Sequence, residues 1–159
     1  MNTENPAPRD VLPGDLADLA LLHARCFPFE PWDRAALARL VALPASRARV
    51  IENAPGEKLG GEKLGFLLAQ LAGGEAEILT LCVDESFRRR GVARALLVDL
   101  ARLAREAHAG RLVLEVAADN FPALRLYESG GFVSIGIRPL YYRRGRAAPA
   151  DAVMLARAL

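Results

Sequence analysis

The hydrophobic positions of this chain follow two periods. From Val92 onward Val92, Leu96, Leu97, Leu100, Leu103, Ala104 and Ala107 recur at steps of three and four, with Arg94, Asp99, Arg102, Arg105 and Glu106 mostly between them. That spacing predicts a long helix with one packed side. Before it, Ile78 to Val83 is an apolar run that predicts a strand, and Asp84 to Arg90 is a polar turn. A second helical pattern opens at Gly14 or Asp15, sets Leu16, Leu19, Leu22 and Cys26 near one face, and ends at Pro28. Asp33 reads as the N-cap of a helix carrying Leu37, Leu40 and Val41 that stops before Pro44. Between the helices, Cys26 to Trp32 interleaves aromatics with prolines.

The remaining patterns are mostly those of strands. Arg47 to Glu52 and Phe66 to Leu71 read as two, and Gly73-Gly74 turns the chain into the strand ending at Val83. Gly-Glu-Lys-Leu-Gly occurs twice in tandem between them, from Gly56 and from Gly61, and reads as an insertion in a hairpin loop. Gly110 is the expected cap of the long helix. Arg111 to Ala117, almost continuously apolar, suits a central strand covered on both faces. Asp119 or Asn120 caps a short helix with Pro122 in its first turn, which passes Tyr127 and stops at Gly130-Gly131. Phe132 to Arg138 and Ala152 to Ala158 are the last strands, with a basic, aromatic loop from Leu140 to Arg146 between them. Residues Met1 to Arg9 read as a loose leader or a first short strand. The order predicts an α/β or α+β fold: one domain over residues 1–159, with a mixed sheet and helices on both faces.

Composition narrows the class. Of the 159 residues 52% are apolar and 25% charged, which describes a folded chain long enough to bury a core. A net charge of +2 gives no overall bias toward nucleic acid. Cys26, Cys82, His23 and His108 are too scattered for a metal site, and both thiols are expected to be reduced. No apolar run is long enough to span a membrane and the first residues do not read as a signal peptide, so the expected location is cytoplasmic. The expected state is a monomer or weak dimer.

Charge placement carries the candidate chemistry. Arg88, Arg89 and Arg90 crowd the start of the long helix, where the dipole is already positive. An anion would reconcile them, because free helix N–H groups beside guanidinium groups form a ready phosphate site; the alternative is three solvated arginines. Gly91 and Ala93 would let backbone approach such an anion closely. Glu115 is the one carboxylate in the apolar run Leu112 to Val116; it reads either as a general base or as the partner of an arginine. Tyr127 could donate a proton or satisfy a core hydrogen bond. The thiol of Cys82 reads as small apolar filler rather than a nucleophile.

The spacing Arg88, Gly91, Ala93 after a strand resembles the pyrophosphate motif of the GNAT superfamily of N-acetyltransferases. Leu114-Glu-Val-Ala-Ala-Asp-Asn120 followed by Leu126-Tyr and Gly131-Phe132 resembles the signature of its ribosomal-protein-alanine, or RimI, type. Arg138-Pro-Leu-Tyr-Tyr142, Asp151-Ala-Val-Met154 and His23 through Trp32 are similar to further segments of that type. The resemblance implies transfer of acetyl from acetyl-CoA to a protein N-terminus, with alanine first as the expected residue. It implies that Leu81, Cys82 and Val83 meet the acetyl and pantetheine arm where two parallel strands splay. By the same resemblance Arg89, Arg90, Gly91, Val92, Ala93 and Arg94 hold the pyrophosphate, and Asn120 contacts the pantetheine arm. Glu115 would take the ammonium proton, directly or through water, and Tyr127 would protonate the leaving thiolate. A thiolate has a pKa of about 8.5, so that last step is downhill only for a tyrosine whose own value is not too high. Trp32, Tyr141 and Tyr142 are the candidate acceptor wall. Ala117, Asp119 and Ala150 depart from the RimI pattern, which bears on peptide preference more than on acetyl-CoA. The alternatives are a small-molecule amine acceptor and a non-catalytic acyl-CoA-binding module; direct nucleic-acid binding through Arg143, Arg144 and Arg146 is not expected.

Overall fold

The computed structural model describes residues 6–54 and 61–159. Residues 1–5, most of the expected leader's start, and the first copy of the tandem pentapeptide lie outside the described residues. Among the described residues seven strands form one sheet in the order β1 (Arg9–Asp10), β2 (Ser46–Glu52), β3 (Lys63–Ala72), β4 (Glu75–Val83), β5 (Arg111–Ala117), β7 (Ala150–Ala158) and β6 (Val133–Tyr142). Every neighbouring pair is antiparallel except β4 and β5. The β3–β4 hairpin turns through Gly73 and Gly74 at φ 59° and 79°, which glycine adopts without a steric cost.

Alternation along the strands feeds two cores. Val50, Phe66 and Cys82 face α1 (Leu16–Cys26) and α2 (Arg34–Val41), where they pack with Leu16, Leu19, Leu22 and Leu37. Their neighbours Ile51 and Leu67 face the opposite way, toward α3 (Val92–Glu106) and α4 (Phe121–Ser129). Asp33 caps α2 by accepting the Ala36 N–H at 2.7 Å. The start of α1 is fixed electrostatically: buried Asp15 accepts from both Arg9 terminal nitrogens, at 2.7 and 2.9 Å, and Lys63 approaches it at 2.9 Å. The Arg9 guanidinium holds that carboxyl well below the usual carboxylate range.

Three expectations need correction. On α3 the buried stripe is Val92, Leu96, Leu97, Leu100, Ala101 and Ala104; Leu103 is half-buried and Ala107, already past the helix, is exposed. His108, not Gly110, takes the left-handed position at φ 60°, with Ala109 N–H returning to the Ala104 carbonyl at 2.9 Å. That bond satisfies a carbonyl of the last turn, and Gly110 instead donates to the Gly74 carbonyl at 2.7 Å, handing the chain to the sheet. Finally, β6 does not end at Arg138. Pro139 lacks a ladder donor and Leu140 turns to φ 52°, yet pairing resumes at Tyr142 opposite Ala150, with the Leu140 N–H held by Asp151 at 2.8 Å.

Candidate active site

The parallel pair β4–β5 is joined only at Glu75 with Arg111, Ala76 with Leu112 and Glu77 with Val113. Both strands run on, to Val83 and Ala117, without pairing to each other. The cause lies on the other edge of β4. Against β3 its register slips between Thr80, opposite Leu68, and Ile78, opposite Ala69, so Leu79 is an extra residue. A β-bulge bends and twists its strand, and this one follows the last β4–β5 pair by two residues. A cavity of ≈ 660 Å³ opens there, with Ile78 to Leu81 on one wall and Leu114 to Ala117 on the other. The sequence pattern gives no sign of Leu79, because an apolar residue inside an apolar run carries no bulge signal.

Beyond the open end of β4 lies the arginine turn. Gly91 is the N-cap of α3 at φ 81° and supplies no side-chain cap, so the N–H groups of the first turn are left for an outside acceptor. Arg88 donates to the Val83 carbonyl at 3.3 Å, and the Arg90 guanidinium lies over the Phe87 ring at 5.4 Å. Arg89, at φ 60°, and Arg94 are exposed, while Val92 is buried in the α3 core and Ala93 is half-buried. Leu81 lines the cavity; Cys82 is buried beneath α1, and Val83 packs against the α3 core.

Glu115 and Tyr127 meet at the cavity. Glu115 sits in β5 with its side chain 23% exposed, and its Oε1 is 3.1 Å from Nε of Arg138 on β6. The ion pair weighed as the structural alternative is therefore present, and it lies on the cavity wall. Tyr127 of α4 is buried, edge-on to Phe132 at 5.4 Å between ring centroids. Burial pushes its phenol well above the ordinary value, aided by nearby Cys82 and Tyr142. Asn120 also lines the cavity and caps α4, accepting the Ala123 N–H at 3.3 Å.

The candidate acceptor wall is built across long sequence distances. The Trp32 N–H donates to Nδ1 of His23 at 3.0 Å, and the two rings stack with centroids 4.7 Å apart and planes 11° apart. Burial lowers His23 to about 4, which keeps the imidazole neutral and able to accept that bond. Tyr142 lines the cavity, and burial together with neighbouring Glu115 pushes its phenol up to about 12. Tyr141 does not line it. Adjacent strand residues face opposite sides, and Tyr141 is exposed, edge-on to Tyr142 at 5.1 Å and 5.9 Å from the Arg138 guanidinium. Three contacts that the sequence does not reveal close this wall. Glu30 pairs with Arg144 at 3.5 Å, Asp119 pairs with Arg146, and Phe29 lies so close to Gly145 that a Cβ there would stand 2.1 Å from its ring.

The two cysteines are free and adjacent. Cys26, at the end of α1, lines the cavity with its Sγ 3.7 Å from the Val83 carbonyl. Neighbouring Cys82 and Arg88 lower Cys26 to about 6; neighbouring Cys26 and burial raise Cys82.

A parallel strand pair forced open beside an uncapped helix start is the architecture of an acyl-CoA-dependent transferase. Residues 16–132 match the acetyltransferase (GNAT) family, and the chain belongs to it. It is an acetyl-CoA-dependent N-acetyltransferase. Among relatives, it is 36% identical over 118 residues to the N-alpha-acetyltransferase RimI of Mycobacterium tuberculosis, covering 72% of this chain and 69% of that protein. It is 38% identical over 82 residues to the ribosomal protein bS18-alanine N-acetyltransferase of Escherichia coli K12, covering 52% of this chain and 55% of that protein. The crystal structure of the Escherichia coli ribosomal-protein-S18-alanine N-acetyltransferase superposes with a TM-score of 0.83 at 27% identity, covering 96% of this chain and 92% of that one.

Proposed function

We propose that the protein is a cytoplasmic N-alpha-acetyltransferase that moves acetyl from acetyl-CoA to the N-terminal amine of a protein, with a ribosomal protein beginning in alanine as the first acceptor to test. The observation that carries this reading is the convergence of Glu115 and Tyr127 on a cavity between strands that have stopped pairing.

The residues present fit acetyl-CoA. The unpaired edge of β4 at Leu81, Cys82 and Val83 offers backbone groups to an extended amide arm, with Asn120 across the cleft. The α3 start, with Arg89, Arg90, Gly91, Val92, Ala93 and Arg94, offers N–H groups and positive charge to a diphosphate. Bound there, acetyl-CoA supplies an activated acyl group on a thiol leaving group.

Glu115, oriented by Arg138, takes the proton of the acceptor ammonium, directly or through a water. An α-amino group with a pKa of about 7.7–8.0 asks little of that base, whereas a lysine at about 10.4 asks much more. Tyr127, its pKa raised by burial, stays protonated. Complete transfer of its proton to a thiolate with a pKa of about 8.5 is uphill, so Tyr127 acts first as a hydrogen-bond donor to the developing negative charge. Trp32, held by His23, and Tyr142 flank the amine, and the contacts of Glu30 and Asp119 with Arg144 and Arg146 bound the peptide side.

Comparing protein N-termini by mass spectrometry in cells with and without the protein tests the acceptor. Loss of acetyl from a ribosomal alanine terminus is expected. Purified protein that acetylates small amines but no peptide would replace this reading with the small-molecule one. Binding of acetyl-CoA with no turnover on either panel would leave a binding module.

A further inference from the structure

Neither thiol has a part in the acetyl transfer described above; Cys26 lines the cavity, and Cys82 lies in the core cluster against which Cys26 packs. Cys82 is 1% exposed among the α1 and α2 leucines, with its Sγ 3.6 Å from the Thr80 hydroxyl. Cys26 packs against that cluster, faces the cavity, and approaches the carbonyl of Val83, the residue that follows Cys82. The same carbonyl accepts from Arg88, which brings a guanidinium to the thiols. On the far side Arg25 is engaged by Asp84 at 2.8 Å. The carboxyl end of α1 works against a negative charge at Cys26; Arg88 and the Cys82 S–H work for it.

The pair is thus asymmetric: Cys26 is half-buried and faces the cavity, while Cys82 is buried in the cluster against which Cys26 packs. This is the division between an attacking and a resolving cysteine. We propose that Cys26 and Cys82 are a redox-active pair that closes to an intramolecular disulfide by exchange with a small disulfide such as glutathione disulfide. The Cys26 thiolate attacks one sulfur of glutathione disulfide, whose S–S bond breaks, and one glutathione leaves as thiolate. Cys26 is then uncharged in the mixed disulfide and no longer raises Cys82, whose proton passes to that thiolate. The Cys82 sulfur then attacks Cys26, the mixed disulfide breaks, and the second glutathione leaves as thiolate to be protonated by water. Two protein thiols are oxidised and one small disulfide is reduced, so no other oxidant is needed. The closed bond ties the last turn of α1, which carries the His23 support of Trp32, to the cofactor strand β4.

The experiment treats the full chain with excess glutathione disulfide near neutral pH, then counts free thiols and records intact mass and disulfide-linked peptides. Wild type is expected to lose both thiols, keep no glutathione, yield a Cys26–Cys82 peptide and recover both thiols with a dithiol reductant. Cys82→Ser is expected to stop as a stable glutathione adduct on Cys26. Cys26→Ser is expected to release glutathione more than about tenfold more slowly than wild type, since it lacks the ionised thiol. Wild type that keeps both thiols, or accumulates an adduct without closing, overturns the proposal. So does a Cys26→Ser variant that reacts as fast as wild type. Thiol counts do not depend on acetyl transfer, so this test and that of the proposed function can fail separately.

Discussion

The two halves of the site are made in different ways. The proposed cofactor half is backbone: an opened strand edge, a glycine at φ 81° and an uncapped helix start, all between Leu79 and Arg94. The proposed acceptor half is side chain: His23 under Trp32, Glu30 with Arg144, Asp119 with Arg146 and Phe29 over Gly145 join parts of the chain up to 116 positions apart, 145 less 29. A site built from local backbone can keep its ligand while sequence varies around it. One built from distant pairs can change acceptor by changing either partner.

Substitutions that act on one half and spare the other test this division. The largest effect is expected for Glu115→Gln, which should lower kcat by about 10²–10⁴-fold, the range for loss of a general base, while calorimetry finds acetyl-CoA affinity little changed. Stability of the acceptor half should depend on pH through His23. Its folded pKa, about 4, lies below the ordinary 6.5, so the unfolded chain binds more protons between those values. Stability is therefore fully present above about pH 6.5 and lost as pH falls toward 4, by about 2–3 kcal/mol. Denaturant midpoints across that window should show the slope, and His23→Gln should flatten it.

Smaller effects follow. Gly91→Val places a branched side chain in a left-handed conformation, a strain of about 1–2 kcal/mol, and should weaken acetyl-CoA about tenfold with peptide KM nearly unchanged. Gly145→Ala should do the reverse. At φ 67° its Cβ would meet Phe29, and displacing that ring should raise peptide KM by about three- to tenfold at constant acetyl-CoA affinity. Smallest is Arg144→Ala: the pair with Glu30 is solvent-exposed, and its loss should move peptide KM by no more than about twofold.

Legibility in the sequence follows the same division. The strand, arginine turn and α3 were readable because their signals lie within thirty consecutive residues, Ile78 to Ala107: an apolar run, a polar turn, Gly91, then a period of three and four. Glu115 stood out because a carboxylate interrupts an apolar strand, and its arginine partner was foreseen as a type though not as Arg138. Tyr141 was misplaced because Tyr141-Tyr142 reads as one aromatic patch until a strand sends the two rings to opposite sides. The cap at His108 was missed because glycine is the usual left-handed residue and Gly110 stood two places away. The acceptor contacts could not be read at all, since nothing local in Glu30 or Asp119 names a partner in the segment after β6.

The extra residue at Leu79 has a consequence for how such a chain can evolve. What opens the cavity is a count, one residue too many on β4 between two fixed points of its ladder with β3. Side-chain changes at that position can be many and mild. Excising the residue would let β4 zip flat along β5 and seal the cleft with every other residue that lines it still encoded, so selection at this point acts on spacing and tolerates spelling.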